Sequence, residues 1–248
     1  NELDEASYWN IVKVALLGKH APENVILLEV EPEKQNTAID FIYTESKLGI
    51  KAVCLTKIIK EGKKLFYTRD GIKTPIYRIY NRIIFDELVQ RTDLSYEFKM
   101  TDEVDVEWAG HPNWFFRISK YIMPFFNSEF VPKCTFLNEL KEIPNDLENY
   151  VLKPLFSFSG SGVIFNVTKQ DIEAVKDPQN FILQRKVQYE PTIESPDGKV
   201  KSEIRMLYIW KENEPRPTLV INLGRLSKGE MIGVKYNKNK TWVGGSVN

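Results

Sequence analysis

The chain has 248 residues, and its 34 Lys and Arg are matched by 34 Asp and Glu, so the basic excess with which a nucleic-acid binder neutralises phosphates is absent. Two cysteines, Cys54 and Cys134, exclude a disulfide scaffold and a cysteine zinc site, and two histidines exclude a multi-histidine metal centre. Any metal would need oxygen ligands, which favours Mg2+. No apolar run reaches the ~20 residues that span a bilayer. The first four residues are polar and acidic, wrong for a secretion signal. The expected setting is a reducing cytoplasm, with neither nucleic acid nor membrane as partner. The chain does not begin with Met and is expected to be a trimmed or incomplete record.

Tyr8, Trp9, Val12 and Leu16 recur at helical spacing, and residues 25–30 form an apolar run of strand length. Ala38, Phe41, Ile42 and Leu48 mark a second helix, with Gly49 where a C-terminal cap belongs. Residues 51–56 read as the next strand. Residues 57–76 read as a hairpin with turn signals at Glu61-Gly62 and Asp70-Gly71. A strand over 76–80 and a short helix from Arg82 complete an alternation that predicts a small open α/β sheet.

Residues 93–112 are polar and irregular. Asn113 can cap a helix carrying Trp114, Ile118, Tyr121, Ile122 and Phe125, which Pro124 should end or kink. Beyond Pro132 strands dominate, at 150–155, 163–166, 181–184, 202–210, 218–223 and 231–236. One helix near 168–176 interrupts them, with Thr168 and Asp171 placed for a capping box. The expected architecture is α+β, rich in antiparallel sheet, over residues 113–248, preceded by a small α/β domain over 1–112.

The most informative segment is 150–163. An apolar strand delivers Lys153, and Ser157, Ser159, Gly160, Ser161 and Gly162 follow in a loop before a second strand. The glycines allow backbone conformations that aim successive N–H groups at one point, as anion cradles require. The serines add donors, and Lys153 adds a point charge suited to phosphate. This is not a Walker A loop, because no Gly-Lys-Ser/Thr opens a helix after it. Taken alone, the segment is also the pattern of a β-hairpin with a serine-rich turn.

Three later features add to it. Residues 181–187 are an apolar strand running into polar residues, an edge that can offer backbone groups to a flat heterocycle. Lys201, Glu203 and Arg205 share one strand face through the period-two alternation, which is also the pattern of a solvated edge. Arg225, at the end of the next strand, could meet Arg205.

In order and spacing these segments resemble the ATP-grasp superfamily, most clearly its tubulin-tyrosine-ligase-like and peptide-ligase branches. The resemblance covers roughly residues 112–248. It implies ATP as cofactor with Mg2+. Lys120, ahead of Val131-Pro132, and Lys153 with the loop through Gly162 correspond to the lysines that hold ATP phosphates. Gln184 would face the adenine amino group, while backbone groups of Arg185, Lys186 and Val187 would meet the ring. Glu190 would reach the ribose hydroxyls. Lys201-x-Glu203-x-Arg205 is similar to the family's Lys-x-Asp-x-Arg strand, whose first two residues contact nucleotide and whose Arg receives a phosphate or a substrate carboxylate. Arg225 corresponds to an Arg near the terminal phosphate, and Arg205 and Arg225 are the catalytic candidates.

The family ends in strands bearing an acidic residue and then Glu-x-Asn, which bind Mg2+. The segment 242–248 lies about where these would begin. Truncation, loss of metal ligands, or ligands supplied from elsewhere would each account for this. Glu203 and Asn222 are the metal candidates in the last case, and the alternating carboxylates Glu103, Asp105 and Glu107 also read as a solvated strand.

Asn81 and Arg82, at the C-terminal end of a strand in an open sheet, are candidates for substrate contacts, and equally a helix cap and a surface Arg. His111 and Trp114 read as a buried capping turn. Trp114, Phe115, Phe116, Phe125 and Phe126 read as core.

The implied activity is ATP-dependent ligation of a small-molecule or peptide carboxylate to an amine through an acyl phosphate. The alternatives are a non-catalytic nucleotide-binding or scaffold protein that retains the fold, and a plain α/β interaction module. A homodimer is compatible with the sequence.

Overall fold

The computed structural model describes residues 3–157, 160–229, 232, 237–241 and 243–247. In chain order the elements begin with α1 (Glu5–Leu17), β1 (Val25–Glu29), α2 (Ala38–Leu48), β2 (Lys51–Cys54), β3 (Ile59–Glu61), β4 (Lys64–Arg69) and β5 (Ile72–Ile76). Then come β6 (Arg78–Asn81), α3 (Phe85–Gln90), β7 (Glu107–Ala109), α4 (Trp114–Arg117), β8 (Cys134–Phe136), β9 (Tyr150–Pro154) and α5 (Lys169–Glu173). The last are β10 (Phe181–Arg185), β11 (Pro191–Ile193), β12 (Val200–Ile209), β13 (Thr218–Ser227) and β14 (Gly244–Val247). The result is a mixed α/β chain with several antiparallel sheets and short helices. Among the described residues no helix is long and apolar enough to cross a membrane.

Two compact units result. One comprises Asn1–Tyr80, Tyr96–Ala109 and Gln188–Asn248, and the other Asn81–Ser95 and Gly110–Val187. The chain passes between the units at 80/81, 95/96, 109/110 and 187/188. The contacts also group the C-terminal sheet with the N-terminal part, where α1 approaches β12.

In the first unit, the sheet order is β2-β1-β6-β7, with β1/β2 and β6/β7 parallel. Residues 25–28 of β1 are fully shielded, as a strand covered on both faces must be. Asp4 opens α1 by accepting from the Ser7 N–H at 2.8 Å. Phe41, Thr44 and Leu48 form the buried stripe of α2, and Gly49 ends that helix at φ 73°, where a side chain would be strained. Phe41 and Leu48 pack with Leu17, Val25, Leu27 and Ile50. Residues 59–76 form a three-stranded meander, β3-β4-β5, because each of the two turn signals reverses the chain. A four-stranded antiparallel sheet, β11-β12-β13-β14, carries the C-terminal residues.

The second unit is built on β8-β10-β9, an antiparallel sheet. Thr168 and Asp171 form the expected capping box. Four local expectations fail. The helix after Asn113 lasts one turn, and Asn113 makes no side-chain cap; bulky and β-branched residues and Pro124 favour a 3-10 stretch over Lys120–Phe125 instead, capped by Ser119. Residues 163–166 form no ladder, only the bridge Leu152–Ile164. The aromatic cluster is not core: Trp114, Phe116, Phe125 and Phe126 are exposed. The turn at His111 and Trp114 is likewise exposed, with the Asn113 N–H donating to His111 Nδ1 at 3.1 Å. The strand expected at 231–236 lies outside the described residues, Ile232 apart.

Candidate functional site

The second unit carries the lysines. Antiparallel register sets Ile182 opposite Lys153 and Phe136, and Gln184 opposite Val151 and Cys134, so Lys153, Gln184 and Cys134 share one sheet face. Lys153 Nζ donates to Gln184 Oε1 at 2.9 Å. Lys120, at the start of the 3-10 stretch, donates to the Ser157 carbonyl at 2.8 Å and to its hydroxyl at 3.2 Å. Burial depresses both lysines below the ordinary 10.5, and for Lys120 the Lys153 charge adds to this. Burial also pushes the Cys134 thiol up to about 11, against the pull of Lys153. Two crowded, partly dehydrated ammonium groups are an unfavourable arrangement that an anion would relieve.

The loop beyond Ser157 behaves as its glycines predict. Gly160 and Gly162 adopt φ 75° and 69°. A Cβ on Gly162 would also sit 3.0 Å from the Pro154 ring. Ser161 is exposed, and Ser159 lies outside the described residues. The hinge is more occupied than expected. Gln184 Oε1 accepts from Lys153 Nζ, and its Nε2 donates to the Arg185 carbonyl at 3.4 Å. The Arg185 and Lys186 N–H groups bond the Lys133 and Asn149 carbonyls at 2.9 and 2.8 Å. Gln184 and these two N–H groups, expected to meet an adenine ring, thus make hydrogen bonds within the unit. The Arg185 side chain lies over Tyr150 and pairs with Asp146 at 2.6 Å.

Asn81 and Arg82 fall in this unit too. Asn81 bonds both backbone groups of Ile83, at 3.3 and 3.4 Å, so its side chain forms a local turn. Sequence reasoning missed Asp86. Phe85 packs on Phe115 and Phe116 (centroids 5.5 and 6.1 Å), and Phe116 packs on Phe156 at 5.3 Å, beside Ser157. This brings Asp86 near enough for its charge to support that of Lys120. Asp86 Oδ1 is shielded and has no hydrogen-bond partner among the described residues.

The first unit carries the guanidinium groups. Glu203 lies opposite Arg225 in the β12/β13 register. Its Oε1 receives Arg225 Nη2 at 3.0 Å and Arg205 Nε at 3.1 Å, while Tyr189 Oη donates to its Oε2 at 3.2 Å. Arg225 also donates to the Ile232 carbonyl at 3.1 Å, and its Nε is shielded and unpartnered among the described residues. Arg205 and Arg225 thus meet, with Glu203 between them. Lys201 donates to the Gly229 carbonyl at 3.4 Å, and Glu190 is exposed. Tyr189 had no motif to mark it.

The expected metal pair is not brought together. Asn222 opposes Met206, so it lies on the other sheet face from Glu203. Both Glu203 oxygens are engaged, and the described residues contain no cluster of three or more His, Cys, Asp or Glu set to hold a metal. The described residues do not fit a protein-held Mg2+. Lys120 and Lys153 belong to one unit, and Arg205 and Arg225 to the other.

No protein-family model matches the chain, and no curated protein matches it.

Proposed function

We propose that the chain binds ATP and ligates a carboxylate to an amine, as its resemblance to ATP-grasp ligases implies. The observation that carries this reading is the paired lysines: Lys120 and Lys153, both depressed by burial, flank a loop whose two glycines hold positive φ. Such a pair favours a polyphosphate because the ligand restores the charges that burial penalises.

Phosphoryl transfer asks a protein mainly to position and neutralise. Lys120 and Lys153 hold phosphate oxygens. Arg205 and Arg225 form a second anion receptor, suited to a carboxylate or phosphoryl group, in which Glu203 occupies the anion's place. The carboxylate oxygen takes the terminal phosphoryl group, and the amine then displaces phosphate. That occupied receptor also favours a second reading, a non-catalytic nucleotide-binding protein with the same lysine site.

Thermal unfolding with ADP and with ATP, together with ADP and phosphate release on a panel of amino acids, tests both. Stabilisation with turnover is expected. Stabilisation without turnover selects the second reading, and no shift with either nucleotide overturns both.

A further inference from the structure

The β8-β10-β9 sheet has a second face. Thr135 lies opposite Leu183, Arg185 lies opposite Tyr150, and these residues alternate with Cys134, Gln184 and Lys153, so they stand on the other side of the sheet. The Arg185 N–H on the Lys133 carbonyl at 2.9 Å sets Lys133 across from Arg185 on that same side. A cavity of about 690 Å3 opens there, lined by all five of these residues, and its size suits a small organic molecule. Leu140, Tyr150 and Leu183 give it an apolar wall and also pack with Leu137, Leu152, Val167 and Ile172. Pro132 and Pro144, whose rings fix φ, stiffen the rest.

Arg185 is positioned before any ligand arrives. Its guanidinium lies 5.0 Å from the Tyr150 ring centroid, and its Nη1 donates to Asp146 Oδ2 at 2.6 Å. A guanidinium carries five donors in a planar fork, which matches a carboxylate. Lys133 across the strand pair is a like charge, an arrangement that destabilises a sheet and that an anion beside both groups relieves. Glu129 on the wall and Asp146 beside Arg185 leave little excess positive charge, which suits a monoanion and not a phosphate dianion. We infer that this cavity binds a small organic carboxylate with an apolar body, its head on Arg185 and Lys133 and its body against Leu140, Leu183 and the prolines. The site lies on the opposite face from Lys153 and stands independently of the ATP reading.

Calorimetric titration of the full chain with indole-3-acetate, indole-3-acetamide and tryptamine tests this, since the three share one body and differ in head charge. Saturable binding of the acid is expected, with the amide and the amine weaker by about tenfold or more, the loss that a charged hydrogen bond corresponds to. Arg185→Gln should weaken the acid by a similar factor, and Glu129→Gln should tighten it by removing a like charge. Thr135→Trp fills the cavity from an exposed strand position and keeps every charge, so it should abolish binding even where Arg185→Gln, which also breaks the Asp146 pair, does not fold. Lys153→Met should leave the affinity for the acid unchanged. No saturable binding of the acid, equal affinity for the amide or the amine, or affinity retained in Thr135→Trp overturns the assignment. Loss of the acid in Lys153→Met would place it at the lysine site and overturns it equally. Absence of ADP binding would sink the ATP reading and leave this assignment standing.

Discussion

Lys153 Nζ sits 2.9 Å from Gln184 Oε1, across adjacent strands on one face of the β8-β10-β9 sheet. The neutral amide satisfies one ammonium proton without supplying a counter-charge, so Lys153 stays depressed by burial. Lys153→Met keeps the aliphatic stem and removes the buried charge. Apo stability should be unchanged or higher, while the ADP-induced rise in melting temperature should vanish, because binding groups are often kept at a cost to stability. Thermal unfolding with and without ADP measures both, and a retained ADP shift would remove Lys153 from the site.

What was legible in the sequence was local. Gly49, the Thr168–Asp171 box and the positive φ of Gly160 and Gly162 each depend on a few neighbouring residues. The meeting of Arg205 with Arg225 was readable because both stand on adjacent strands. Pairing Asn222 with Glu203 failed because alternation fixes faces within one strand, whereas register fixes them between strands. Asp86 could not be read at all. Its place is set by ring packing between Phe85 and residues some thirty positions away and more, which no spacing rule encodes.

Glu107 in β7 gathers Lys19 at 3.0 Å, His20 at 3.1 Å and Arg78 at 2.8 Å. These partners, Lys19 first, lower its carboxyl to about 2. A folded pKa below the unfolded one adds stability above the unfolded value of ~4.3, lost as pH falls toward 2. Glu107→Gln should therefore cost on the order of 1 kcal/mol at neutral pH, a figure kept small by solvent screening of a part-exposed group. The variant should converge with the unaltered chain in strong acid. Urea unfolding across the acid range checks this, and a pH-independent difference would assign the loss to packing.

Glu203 holds two guanidinium groups apart from solvent anions. Glu203→Gln removes the bridging charge and leaves Arg225, whose Nε is already unpartnered among the described residues, with the Ile232 carbonyl and a neutral amide. The expected cost is about 1–3 kcal/mol. Inorganic phosphate should then stabilise the variant more than the unaltered chain, by filling the vacated anion position. Melting temperature against phosphate concentration provides the comparison, and identical slopes would mean that the arginine pair does not receive anions.

Lys120 and Lys153 both titrate below the ordinary 10.5, driven first by burial. An anion beside them favours the charged form and raises both values again. Where the free site is partly deprotonated and the bound site is not, binding must take up protons, so ADP affinity should fall as pH rises through the depressed range. Calorimetry of ADP binding in two buffers with different ionisation heats should show net proton uptake at alkaline pH and less near neutrality. Lys120→Met should reduce the uptake, because it removes one of the two titrating groups. Uptake unchanged by that substitution would locate the titrating groups elsewhere.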